Sequence, residues 1–337
     1  MNLYSKLFIL ALVFYTNVSA QSLKIIPLDS GKSTTFRGLS VVNQKIAWAS
    51  GSNGWIAKTI DGEHFDWQQI KGFEKIDFRS IKAFSSKEAM IVGIGSPAYI
   101  LKTIDGGISW VKVYENSRPS IFLDGIEFLN KNVGFVYGDP INGLMTILKT
   151  TDGGGNWENI SEKTNIKLFE GEASFAASGT GIRAFKNKLY IISGGTKSRL
   201  FISEDGGSNF TTEDIPILQG QSTQGAFSMD VNKKGVYIVG GDYTKPNSRE
   251  KNYAFLNAKT YQWETAEISP LGHRSCIVST HHHFLITTGD NGTDYSVDGG
   301  RKWMKLSDAN YYVIRKGGNY IYFVGPKGKI AKLKIAD

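Results

Sequence analysis

At 337 residues the chain is long enough for one large all-β domain or two ordinary ones. Its 38 Gly, 8 Pro and 12% aromatic residues suit sheets and tight turns, and no stretch beyond the N-terminus carries the apolar period of a long amphipathic helix. The net charge of +8 comes from scattered Lys and Arg rather than basic runs, which argues against a nucleic-acid groove and leaves an anionic partner open.

The first twenty residues stand apart. Lys6 precedes the apolar core "LFILALVFY" (7–15), and "NVSA" (17–20) ends in small residues before Gln21. This is the pattern of a secretory signal peptide cut after Ala20. The apolar run is short for a membrane anchor, and no Cys near the cleavage point suits a lipid anchor. The expected mature chain, 21–337, is a single exported domain, periplasmic or extracellular, with no membrane span.

From residue 38 the chain reads as strands. "GLSVV" (38–42), "KIAWASG" (45–51), "GWIAKTI" (54–60) and "WQQI" (67–70) are four β-like runs, with a tight turn between the third and fourth. That turn recurs. "TIDGEHFDW" (59–67), "TIDGGISW" (103–110), "TTDGGGNW" (150–157), "SEDGGSNF" (203–210) and "SVDGGRKW" (296–303) share S/T-x-D-G followed by an aromatic residue. The aspartates are Asp61, Asp105, Asp152, Asp205 and Asp298, separated by 44, 47, 53 and 93 residues. The last gap is a double one, and "NAKTYQWETAEI" (257–268) is its degenerate copy, with Trp263 kept and Asp–Gly lost.

Four strands at this period is the signature of a propeller blade. The tail, "VIRKGGNYIYFVGPKGKIAKLKI" (313–335), aligns with 39–61 and stops before a fourth strand. "SLKIIPL" (22–28) can supply it from the other end of the chain. Blades opening near residues 36, 78, 122, 176, 225, 273 and 311 predict an all-β, seven-bladed β-propeller closed by its N-terminal strand.

The repeated turn is structural in this reading. Asp accepts backbone N–H bonds, Gly supplies positive φ, and Trp67, Trp110, Trp157, Phe210 and Trp303 pack between blades. The motif resembles the Asp-box, or bacterial neuraminidase repeat, of sialidases, sortilin-type receptors and many secreted propellers. "GEASFAASGT" (171–180), "AFSMDV" (226–231), "VGGDYT" (239–244) and "TTGDNGTDYSVDGG" (287–300) look more like the photosystem II assembly-factor-like propellers, whose exported bacterial members often bear an "oxidoreductase" label. That resemblance implies a seven-bladed binding or assembly protein; it does not imply photosynthesis.

Topology directs the search for function to the face opposite these turns, where each first strand begins. Arg37, Arg79, Asp124, Ser178, Ser228, Arg274, Tyr311 and Tyr312 open the blades there. Glu172 lies just upstream of the fourth, and Asp139, Asp242, Tyr243, Asp290 and Asn291 lie in the adjoining loops. The expected contact set at the channel mouth is Arg37, Arg79, Asp124, Glu172, Asp242, Arg274 and Asp290. Three arginines on neighbouring blades suit a carboxylate, phosphate or sulfate group, on a protein partner or an anionic ligand. The alternative is a ring of structural ion pairs between blades. The long polar loop "DYTKPNSREKN" (242–252) is a further contact candidate.

The expectation is a non-catalytic binding, scaffold or assembly protein without cofactor or metal. The other reading is a carbohydrate-active protein of sialidase-like architecture, for which three arginines, Glu172 and several tyrosines are a superficial match; "FRG" departs from the arginine–isoleucine–proline motif of that family. "GGG" (153–155) is a hairpin turn rather than a dinucleotide loop. The single Cys276 reads as a buried structural thiol. Consecutive residues in "HHH" (281–283) cannot converge on one metal ion.

Overall fold

The computed structural model describes residues 23–280 and 283–335. The signal-peptide reading of residues 1–20, and His281 and His282 of the triple histidine, lie outside them. Seven antiparallel sheets follow one another along the chain. Their first strands are Phe36–Val41, Phe78–Ala83, Leu123–Phe128, Ile182–Phe185, Gln224–Asn232, Cys276–Ser279 and Val313–Gly317. Each packs against the first strand of the next blade, and the seventh packs against the first, so the sheets form a closed seven-bladed β-propeller around a central channel.

Closure uses the strand expected for it. Ile25–Asp29 pairs antiparallel with Ile330–Lys334, with Ile25 opposite Leu333, as the outer strand of blade 7. Trp67 of blade 1 donates from Nε1 to Asp29 Oδ2 at 2.7 Å and stacks on Phe36, tying the two ends of the ring together.

Burial explains the strand composition. A blade's inner strands are covered on both faces by neighbouring blades, so Ala89–Gly93, "AMIVG", is buried throughout and reads as a continuous apolar run. The outer strand Thr211–Asp214, "TTED", is exposed throughout and reads polar. The core lies between blades: Trp48 and Ile56 of blade 1 cluster with Ile81 and Ile91 of blade 2.

The Asp–Gly turns carry a repeated geometry. Asp152 Oδ1 accepts from the N–H of Gly155 and Asn156 at 2.9 and 3.0 Å, and from Thr150 Oγ1 at 2.8 Å. Thr150 Oγ1 in turn accepts from Gly154 N–H at 2.9 Å. Gly154 has φ of +84°, which favours glycine, and a Cβ there would lie 2.3 Å from the end of the Met90 side chain of the preceding blade, which would have to shift. A lysine just ahead of each of the first three motifs reaches the next blade's turn: Lys58 to Gly106 O at 2.7 Å, Lys102 to Gly153 O at 2.9 Å and Lys149 to Gly206 O at 2.7 Å. In the degenerate copy Asn257 stands in for Asp, its Oδ1 accepting from Lys259 N–H at 2.9 Å.

The entry to blade 4 differs from expectation. Its first strand begins at Ile182 rather than near 176, and residues 174–181 cross the channel instead. Arg37 of blade 1 donates to Ala177 O at 3.1 Å, Ser178 Oγ to Ser275 O of blade 6 at 2.8 Å, and Thr180 Oγ1 to Ser228 Oγ of blade 5 at 2.6 Å. Gly179 sits against Ser80 of blade 2, where a Cβ would meet its Oγ at 2.6 Å. Small residues suit this segment because first-strand residues of several blades close in on it, as at Gly179. It plugs the channel and leaves one cavity above it and others below.

Candidate functional site: the channel mouth

A cavity of about 390 Å³ opens on the face away from the Asp–Gly turns. Its floor is the upper side of the plug, Phe175, Ala176 and Ala177. Arg37, Arg79, Phe227, Tyr243, His273, Ser275, Asp290 and Tyr312 complete it.

Three of these side chains arrive by one device. The first strands of blades 1, 2, 3 and 5 each carry a register shift, and the residues at the four shifts are Arg37, Arg79, Asp124 and Phe227. A bulge leaves one residue out of the ladder and re-aims its side chain. Arg37, Arg79 and Phe227 are thereby presented to the cavity, whereas Asp124 is sealed beneath it.

One wall is aromatic. Phe175 stacks on Phe227 at 3.9 Å between ring centroids, and His273 and Tyr243 meet Phe227 edge-on at 4.5 and 6.2 Å. Across the cavity the Arg37 guanidinium lies 4.2 Å above the Tyr312 ring. Arg37 has no ion-pair partner among the described residues; burial, and then Arg79, weaken its hold on its proton. Arg79 is bound to Asp77 at 2.8 Å. The Asp290 carboxylate is held below its usual range chiefly by the hydrogen bond from His273 Nδ1 at 3.1 Å, with Arg37 contributing. His273 Nε2 is buried with no partner. The mouth thus offers a guanidinium without a direct ion-pair partner among the described residues, beside an aromatic wall, a combination that can take a carboxylate and an adjacent flat or apolar group.

Of the expected contact set, Arg37, Arg79 and Asp290 come together here. Arg274 does not join them: the first strand of blade 6 starts at Cys276, and Arg274, fully buried, turns into its own blade. There its Nε and Nη2 donate to Asp294 Oδ2 at 2.8 and 2.5 Å, and Nη1 to His273 O at 2.8 Å and to Asn291. Glu172 is sealed in a bidentate pair with Arg199 at 2.8 and 2.7 Å. Asp242 is buried and accepts from Thr244 and Gln224. Asp124 is fully buried with neither oxygen partnered; burial, and then Asp139, raise its pKa well above the usual carboxylate range. Ser178 and Ser228 belong to the plug contacts, and Tyr311 is buried while its neighbour Tyr312 lines the cavity. Two arginines and two tyrosines therefore line the cavity, while the third arginine and Glu172, which the sialidase-like reading also needs, are paired elsewhere.

The 242–252 loop is stapled down. Pro246 O accepts from His273 N–H at 3.0 Å and from Asn291 Nδ2 at 2.9 Å, and Asn252 Nδ2 donates to Gly272 O at 2.7 Å. Phe175, Phe227 and His273 were not among the expected contact residues. Phe227 had a signal, because "AFS" (226–228) aligns with "FRG" (36–38) and puts Phe227, not Ser228, at the Arg37 position. Cys276 is buried, with Sγ 3.4 Å from Arg315 Nη1. Among the described residues no cluster of three or more His, Cys, Asp or Glu could hold a metal, and no helix is long and apolar enough to cross a membrane.

No protein-family model and no curated protein sequence matches the chain. Solved propellers do match in shape. YCF48 bound to D1 peptide is 18% identical with a TM-score of 0.66, over 94% of this chain and 97% of that one. YCF48 from Cyanidioschyzon merolae is 17% identical with a TM-score of 0.66, over 93% and 99%. Virginiamycin B lyase from Staphylococcus aureus is 16% identical with a TM-score of 0.69, over 94% and 100%. At such identities the likeness is one of fold, and it places the chain among seven-bladed propellers whose members include both a peptide-binding protein and a lyase.

Proposed function

We propose that this is an exported binding or scaffold propeller that captures a carboxylate-bearing segment of a partner protein at its channel mouth. The observation that carries the reading is Arg37: a largely enclosed guanidinium without an ion-pair partner among the described residues, over Tyr312 and beside the Phe175–Phe227 wall. An acidic side chain or a chain-terminal carboxylate would complete its bonding, and the adjacent residue would stack on the aromatic wall. The 94% overlap with a propeller described as bound to a peptide supports a peptide as the ligand class. The N-terminal twenty residues support export, and the five Asp–Gly turns are read as Asp-box repeats that serve architecture.

The test is affinity capture from the native cell envelope with wild-type protein and with the Arg37→Gln/Arg79→Gln double variant in parallel. The reading requires proteins retained by the wild type and lost from the variant. An identical set on both columns contradicts it. Retention of a glycan in place of any protein would favour a carbohydrate-binding role.

A further inference from the structure

Beneath the plug the channel holds a second cationic site, at the end where the first strands finish. One cavity there, of about 320 Å³, is lined by Arg183, Arg315, Lys316 and Ser279 together with Glu127 and Asp230. A smaller one, of about 190 Å³, shares Arg183, Arg315 and Glu127 and adds Lys82. Four cationic side chains therefore face two carboxylates.

Both carboxylates are already engaged. Glu127 Oε1 bonds Lys82 at 2.5 Å and the N–H of Phe128 at 2.8 Å, while Oε2 lies 3.8 Å from Arg183. Asp230 Oδ2 accepts from Ser279 N–H and Oγ at 2.7 and 2.6 Å, and Oδ1 lies 3.9 Å from Arg183. Arg315 has no ion-pair partner among the described residues. Among the described residues its hydrogen bonds go to Ile314 O at 3.0 Å, Ser178 O at 3.4 Å and the Cys276 thiol at 3.4 Å. Burial, and then the like charge of Arg183, bring its pKa down to about 10. An enclosed guanidinium that faces a second one and bonds only weak or neutral acceptors is an incomplete arrangement. A bridging anion completes it, because the planar forks of two arginines match the oxygens of one oxyanion.

We propose that the channel end beneath the plug binds a small oxyanion, phosphate, sulfate or a carboxylate, held between Arg183 and Arg315. Ser279 Oγ and Lys316 lie at the same cavity and supply further donors. The site is separate from the mouth cavity and does not depend on the function proposed for it.

The full chain is titrated calorimetrically with sodium phosphate, sodium sulfate and sodium acetate, each against sodium chloride at matched ionic strength. The same comparison is repeated as a thermal-shift series. At least one oxyanion is expected to bind the wild type and raise its melting temperature beyond the chloride control, and the three arms identify which. In Arg315→Met the affinity falls by about tenfold or more. Arg37→Gln/Arg79→Gln removes any anion binding at the mouth, and the binding that remains in it is the binding that Arg315→Met, made in the same background, must lose. Should Arg315→Met fail to fold, Arg183→Gln is read in the same way. The proposal is overturned if no oxyanion exceeds chloride, if the lower-channel variant binds as the wild type does, or if the mouth variant alone loses binding.

Discussion

At the scale of single residues, identical strand positions carry opposite electrostatics. Arg37 and Asp124 both sit at first-strand bulges, yet one faces a cavity and the other is sealed with both oxygens unpartnered. A carboxyl whose folded pKa is raised destabilises the fold once pH exceeds its unfolded value, near 4, and the penalty grows until the folded pKa is reached. Asp124→Asn should therefore raise stability at pH 7 by at least about 1 kcal/mol, with little change near pH 3.5, as read from urea melts at both values. Equal effects at the two pH values would contradict a protonated Asp124. The turn aspartates act in the opposite sense: Asp105 is held down to about 2, chiefly by Ser109 Oγ, Asp61 is lowered chiefly by the His64 side chain, and Asp152 and Asp205 chiefly by the backbone N–H of Asn156 and Asn209. Groups with depressed folded pKa values support the fold above the unfolded pKa, so their contribution is present at neutral pH and fades as pH falls below about 4. A melting temperature that held constant from pH 5 to pH 2 would count against that role.

At the scale of the element, the Asp–Gly turn is both a hairpin and an inter-blade joint. Gly154 and Gly206 have similar positive φ, +84° and +72°, but only Gly154 packs against a neighbour, Met90. Gly206→Ala should cost about 1–2 kcal/mol for the left-handed backbone alone, and Gly154→Ala distinctly more because Met90 must move. Equal losses in denaturant melts would remove the packing half of this account. The turn itself was legible from sequence because it recurs at blade spacing. The lysine one residue ahead of the motif was equally visible in "AKTIDG", "LKTIDG" and "LKTTDG", but its target lies on the next blade, which a within-blade reading does not reach. The plug was not legible. "SFAASGTG" (174–181) has the small, alternating look of an opening strand, and only the ring of partners around it makes it a channel crossing. A smaller offset, from 273 to 276, at the entry to blade 6 decided the fate of Arg274, since a residue just ahead of the first strand is free to turn into the blade, toward Asp294.

At the scale of the whole molecule, closure and site are linked. The ring is shut by Ile25–Asp29 on Ile330–Lys334, and Arg37 follows a few residues later on the first strand of blade 1. Removal of residues up to Asp29 exposes the edge of Ile330–Lys334 and the Trp67 partner position. The truncated chain should melt earlier and self-associate in light scattering; a monomer of unchanged stability would show that closure is dispensable. Blade count and closure were readable because periodicity is a property of the whole chain, whereas the mouth depends on which side of a strand each bulge points. The account rests most heavily on Arg37 as the anchor for a carboxylate. Its most direct test is calorimetric titration of short acidic and carboxyl-terminal aromatic peptides, free and amidated, into wild type and Arg37→Gln. The account predicts a free-carboxylate peptide that binds the wild type at least about tenfold more tightly than it binds Arg37→Gln, with its amide behaving like the variant. Equal affinity for the wild type and Arg37→Gln would contradict it.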